Sequence, residues 1–206
     1  MNYPDRIHYI HEVDNPWLTN LLDSYAVCDR ELEKEVAREE KSRGVKVACA
    51  KGCYYCCLTH DIPVSALEAL GISWYLNRIM DTALREMLLE RFRQQEGYSG
   101  CPFLADGTCQ VYPVRPLACR QFLVYETQCK PDDSDPFFSR PRDMHPRDSS
   151  RLFKVAMHLL DNPVYNLADD KEKIAAYRDG IMHKSIPGMH EIDWVGFSEM
   201  TAGQLF

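Results

Sequence analysis

Cys49-Ala50-Lys51-Gly52-Cys53-Tyr54-Tyr55-Cys56-Cys57 packs four thiols into nine residues, and what those thiols do decides how the rest of the chain folds. Further along come Cys101, Cys109, Cys119 and Cys129, while Cys28 stands alone upstream. Nine cysteines in 206 residues are too dilute for a disulfide scaffold, where cysteine exceeds about 8% of a short chain. In a reducing compartment, clustered thiols read as metal ligands. Thiolates hold soft and borderline ions tightly there, and disulfides do not persist. Eight thiols suffice for two four-ligand sites.

The remaining composition is that of an ordinary globular protein, with 45% hydrophobic and 27% charged residues, which excludes wholesale disorder and fibrous architectures. The length fits a single domain over 1–206, with a cysteine module at about 49–129. Thirty-one acidic against 24 basic residues give a net charge of -7, which argues against generic nucleic-acid binding. No apolar run approaches the roughly 18 residues that span a bilayer. Met1-Asn2-Tyr3-Pro4-Asp5-Arg6 does not resemble a secretory signal. A cytoplasmic location away from membranes is therefore expected, with metal as the one partner the sequence names.

Upstream, Asp14 to Gly44 predicts one long helix, with Asp14 or Asn15 as cap, Pro16 in the first turn and Gly44 as the stop. Leu18, Leu21, Leu22, Tyr25, Cys28, Leu32 and Val36 form its buried stripe, and the charged stretch from Arg30 to Arg43 reads as a solvated face. Downstream, Ser65 and Glu68 form a capping box for a helix to about Asn77, and a second helix follows from Asp81 or Thr82 to about Glu96, as a helical hairpin. Asp106-Gly107 predicts a tight turn between short strands that brings Cys101 and Cys109 to one β-hairpin. A short helix opening near Pro116 presents Cys119 and Arg120. Lys130 to Asp148, with four prolines and no periodicity, reads as a surface loop, and Ser149–Leu160 and Val164 to about Arg178 as two more helices. The stretch from Ile186 onward gives no clear pattern. The fold class is thus mainly α: a helical domain with a cysteine-rich metal-binding module containing one short β-hairpin.

On a helix, Cys49, Cys53 and Cys56 would share one face, and in a turn they could still converge on one centre. Cys56 and Cys57 diverge as chain neighbours, so a multi-iron cluster or two sites accommodates them better than one ion. Structural zinc normally takes two Cys-x2-Cys knuckles, and here Cys53 and Cys56 alone have that spacing. The Cys-x3-Cys-x2-Cys spacing resembles the motif by which radical S-adenosylmethionine enzymes hold a four-iron cluster. That motif follows the first strand of an α/β barrel, whereas here it follows a charged helix, so the likeness extends only to steric suitability for an iron–sulfur cluster.

Taken together, Cys49 to Cys57, Cys101-Pro102-Phe103-Leu104, Cys109-Gln110-Val111-Tyr112 and Arg115-Pro116-Leu117-Ala118-Cys119-Arg120-Gln121-Phe122 resemble the YkgJ-like cysteine-cluster family, described as a zinc- or iron-chelating domain. The resemblance covers about Cys49 to Cys129. It implies metal chelation through Cys49, Cys53, Cys56, Cys57, Cys101, Cys109, Cys119 and Cys129. The family's flagellin lysine N-methylase members imply an iron–sulfur cluster and methyl transfer among relatives. The residues favour an iron–sulfur cluster, 4Fe-4S, or iron, with zinc as the alternative cofactor in an interaction module.

Arg115 and Arg120 are candidate cofactor-binding residues: guanidinium groups there could stabilise an anionic thiolate cluster or hold a substrate anion, or could form ion pairs with the abundant acidic residues. His60 could complete a site, or simply precede a helix. Tyr54, Tyr55 and Tyr112 fit a role in shielding a site from water.

Overall fold

Pro16, whose fixed φ suits a first helical position, opens the longest helix, and Gly44 closes it. The computed structural model describes residues 6–50, 52–59, 61–94, 100–130, 139–181 and 187–199. Helix α1 spans Pro16–Arg43, and Gly44, at φ 69°, returns its N–H to the Glu40 carbonyl at 3.0 Å. Asn15 stands at the N-cap without capping by its side chain, which donates instead to the His11 carbonyl. Leu18, Leu21, Leu22, Tyr25, Cys28 and Leu32 are buried, as their spacing requires. Glu35, within the stretch read as solvated, is buried too.

The short helix α2 covers Cys56–Thr59, followed by α3 (Ala66–Arg78) and α4 (Thr82–Arg93). The capping box of α3 forms as predicted, with the Ser65 hydroxyl accepting from the Glu68 N–H and the Glu68 carboxylate accepting from the Ser65 N–H. Asp81 caps α4 by accepting from the N–H groups of Ala83 and Leu84. Strands β1 (Leu104–Ala105) and β2 (Thr108–Cys109) pair antiparallel, Leu104 opposite Cys109 and Ala105 opposite Thr108. Asp106 at φ 49° and Gly107 at φ 67° supply the two left-handed residues that such a hairpin turn demands.

Helix α5 (Leu117–Gln121) follows a 3-10 turn at Tyr112–Val114, and α6 (Ser149–Leu160) packs along α1. The helix expected over Val164 to Arg178 is instead a 3-10 turn, Pro163–Tyr165, and a separate helix α7, Asp170–Arg178. Asn166 turns left-handed at φ 47° and the Asp169 carboxylate caps the new start on the Glu172 N–H, so two local side-chain preferences outweigh helical periodicity.

The expected surface loop Lys130–Asp148 is irregular over residues 140–148, all of which but His145 are exposed or half-buried. Residues 131–138 lie outside the described set, but Met144 pairs with Val124 and His145 is buried. Finally, the C-terminal stretch forms α8 (Trp194–Glu199), packed against both α3 and α4. Trp194 meets Phe103 edge-on at 4.7 Å, and Phe103 meets Phe92 in the same way at 5.3 Å. No helix among the described residues is long and apolar enough to cross a membrane.

Candidate metal centre

Cys49 and Cys53 do not share a helix with Cys56. They lie in irregular chain that turns at Ala50 to Cys53, and α2 begins only at Cys56. What places Cys49 is a distant segment: the Ala48 N–H donates to the Val124 carbonyl at 2.9 Å, and the Val124 N–H donates to Cys49 Sγ at 3.4 Å. Cys49 and Cys129 each lie within electrostatic reach of Cys53 and Cys56, and Cys49 also feels Cys129.

A second group forms around Cys101. The Cys101 N–H donates to the Cys57 carbonyl at 2.5 Å, and the Cys57 thiol is hydrogen-bonded to Cys101 and Cys56. Cys109 on β2 and Cys119 on α5 are both within electrostatic reach of Cys101 and Cys56. Cys56 is therefore common to the two groups, and its chain neighbour Cys57 belongs with Cys101.

Burial raises most of these thiols. Cys49 and Cys109 are pushed up to about 11, Cys119 is held well above its ordinary value, and Cys129 is raised. Cys57 is pushed far up as well, chiefly by its interaction with Cys101 and then by that with Cys56. Its neighbours move the other way: hydrogen bonding from Cys57 is the main cause that lowers Cys56 to about 7 and also lowers Cys101. Backbone N–H groups of Val124, Phe103 and Val111 favour the thiolates of Cys49, Cys101 and Cys109. Positive charge adds to this. Arg140 Nη2 donates to Cys129 Sγ at 3.4 Å, Arg91 acts on Cys101, and Arg115 acts on Cys109.

Among the described residues, no set of three or more His, Cys, Asp or Glu side chains is closed into a coordination group. The thiols of Cys56, Cys57 and Cys101 interact with one another, and Cys57 keeps its proton. A thiophilic ion replaces such protons, so loading means that side chains turn from one another toward the ion. The donor chemistry, thiols with N–H groups and arginines on their sulfurs, fits zinc or iron in that role.

Arg120 is almost fully committed to the protein. Its guanidinium pairs with Asp29 at 2.5 Å, donates to the carbonyls of Arg115 and Pro113, and lies 4.1 Å from the centre of the Tyr25 ring. Arg115 donates to the Tyr112 carbonyl and stacks 3.9 Å over the exposed Tyr112 ring. Tyr54 packs on the hairpin turn at Gly107 and against Tyr55. Cys28 is fully buried beside Val27 and Val155, and His60 lies outside the described residues. Sequence reading missed Arg91, Arg140 and Glu68 as supports of the centre. Glu68 was recognised as a helix cap, but its second oxygen also accepts from the Leu117 N–H at 2.7 Å, which ties the helix bearing Cys119 to α3.

No curated protein and no solved structure matches the chain. Residues 48–136 match the model of the CxxCxxCC family, described as a "putative zinc- or iron-chelating domain". The match begins one residue before Cys49 and ends beyond Cys129, so it encloses all eight clustered cysteines and leaves Cys28 outside. Over residues 48–136, then, the chain is similar to the CxxCxxCC domain, which is described as zinc- or iron-chelating.

Proposed function

We propose that the chain is a cytoplasmic, single-domain iron–sulfur protein that holds a four-iron cluster on ligands drawn from Cys49, Cys53, Cys56, Cys57, Cys101, Cys109, Cys119 and Cys129. What supports this reading is that Cys49, Cys101, Cys109, Cys119 and Cys129 each lie within electrostatic reach of Cys56, which interacts with the Cys57 thiol beside it. Adjacent cysteines within reach of so many other thiols suit a multi-iron cluster, or two centres, better than one tetrahedral zinc. A bound cluster supplies one-electron chemistry. The part of this chain is to offset the negative charge of the thiolates, through the N–H groups of Val124, Phe103 and Val111 and the guanidinium groups of Arg91, Arg115 and Arg140.

The test is anaerobic purification followed by analysis for iron, zinc and acid-labile sulfide, with a visible spectrum. Iron with sulfide and broad visible absorption is the expected result. A colourless protein with stoichiometric zinc overturns the iron–sulfur reading in favour of a structural zinc module. Absence of both metals overturns chelation by these thiols.

A further inference from the structure

Residues 141–147 supply one wall of a cleft of about 650 Å³, and Glu39 and Arg43, near the end of α1, supply another. Small-molecule sites usually measure about 300 to 1,000 Å³. Paired backbone segments hold the first wall: Val47 pairs with Tyr125 and Val124 with Met144, the Tyr125 N–H donates to the Asp143 carbonyl at 2.7 Å, and the His145 N–H donates to the Leu123 carbonyl at 2.9 Å. Arg43 ties the two walls by donating to the Arg142 carbonyl at 2.8 Å, and its guanidinium lies 5.2 Å from the centre of the Tyr125 ring. The His145 side chain is fully buried, with Nδ1 2.7 Å from the Tyr125 hydroxyl and Nε2 3.2 Å from the Glu35 carboxylate. Both ring nitrogens are engaged, so His145 shapes the cleft and does not itself bind a ligand. Arg43, Arg142 and Arg147 line the cleft against one carboxylate, Glu39, which lies 3.6 Å from Arg43. The neighbouring acids are matched elsewhere: Glu35 by Arg151, Asp143 by Arg140, and Asp148 by the N–H groups of Ser150 and Arg151. An excess of two positive charges thus lines a cleft in a chain whose net charge is -7.

We propose that this cleft binds a small organic phosphate monoester, with Arg142 and Arg147 on the phosphate and Met144 and the flanking prolines against the organic part. A phosphate monoester carries about -1.5 to -2 charges at neutral pH, which matches the excess along the lining, whereas a single carboxylate leaves one positive charge unmatched. Guanidinium forks also engage phosphate oxygens in pairs. Arg142 and Arg147 are exposed, so a ligand reaches them without any rearrangement of the fold. Val124, which pairs with Met144, also donates to Cys49, so the bound ester lies beside the metal centre. The inference goes beyond the reading of the cysteines and does not depend on which metal they hold.

Calorimetric titration of the full chain with phenyl phosphate, inorganic phosphate and benzoate, at neutral pH and low salt, tests this. Phenyl phosphate should bind at one site, more tightly than inorganic phosphate, which lacks the apolar part, and more tightly than benzoate, which lacks the second charge. Arg142→Gln and Arg147→Gln should each weaken phenyl phosphate about tenfold, the loss of one charge-assisted hydrogen bond. Glu39→Gln, which removes the one carboxylate of the lining, should tighten it, a change that a misfolded variant cannot mimic. Arg178→Gln alters the charge of the chain equally at an exposed position on α7 and should leave the affinity unchanged. No binding of phenyl phosphate overturns the proposal, as does equal weakening in Arg178→Gln and the two cleft variants, or weaker binding in Glu39→Gln. Benzoate binding as tightly as phenyl phosphate overturns the assignment to a phosphate ester. None of these outcomes bears on the metal reading, which the elemental analysis decides separately.

Discussion

Replacing Glu68 by alanine severs the tie between the start of α3 and the start of α5, and its cost follows from three hydrogen bonds. The carboxylate is 5% exposed. Oε2 accepts from the Ser65 N–H at 3.0 Å and the Ser65 hydroxyl at 2.8 Å, and Oε1 accepts from the Leu117 N–H at 2.7 Å. A hydrogen bond to a charged group contributes about 1.5 to 3 kcal/mol. Ser65 is only half-buried and its N–H can turn to water, so it belongs at the low end. The Leu117 N–H opens a five-residue helix that has few bonds of its own to hold it. Together the loss is about 3 to 5 kcal/mol, a large fraction of the roughly 5 to 15 kcal/mol by which a domain is stable. Ser65→Ala removes the hydroxyl, which both caps the Glu68 N–H and donates to the Glu68 carboxylate, but leaves the tie to Leu117 intact, and should cost about 1 to 2 kcal/mol. Urea unfolding of the metal-free protein measures both. Since α5 carries Cys119, Glu68→Ala should also retain less metal at equal chelator concentration. Equal unfolding midpoints for Glu68→Ala and Ser65→Ala would refute the reasoning, because the tie to Leu117 would then contribute nothing.

Three further outcomes are expected. Arg151 pairs with Glu35 in the interior, where His145 Nε2 also lies 3.2 Å from the carboxylate; Arg151→Met should destabilise by about 3 to 5 kcal/mol by stranding that charge. Pairing it with Glu35→Leu should recover most of the loss, and a double variant as unstable as the single one in denaturant would contradict this. Burial holds His145 below its ordinary value of 6.5, the charge of Glu35 being already matched by Arg151. The unfolded chain therefore takes up a proton that the fold resists. The stability contributed by neutral His145 is complete above about pH 6.5 and is lost as the pH falls toward its lowered folded value. Unfolding midpoints on either side of that pH should show less acid sensitivity in His145→Gln than in the wild type. Cys28→Ala should keep full metal content at a cost of about 1 kcal/mol, whereas Cys53→Ala or Cys56→Ala should lose metal; elemental analysis of the three proteins decides, and metal loss confined to Cys28→Ala would reverse the assignment.

Features determined by a few neighbouring residues were legible in the sequence. Pro16 and Gly44 bound α1, Ser65 and Glu68 form their capping box, and Asp106-Gly107 makes the hairpin turn, because each depends on backbone sterics and hydrogen bonds spanning a few residues. The cysteine spacing likewise marked the segment that matches a domain described as zinc- or iron-chelating. Where local signals competed, periodicity misled: Asn166 and Asp169 break the helix expected after Val164.

The tertiary structure decided which distant groups face the thiols and one another. Val124 donates to Cys49 across 75 positions, Met189 meets Cys101 across 88, and Glu35, in a stretch read as solvated, is buried against Arg151 across 116. No local pattern encodes such pairs. Each exists because packing the long apolar stripe of α1 against α6 and seating α8 on α3 and α4 fixes the remaining backbone, and buried polar atoms then find whatever partners that arrangement brings within reach.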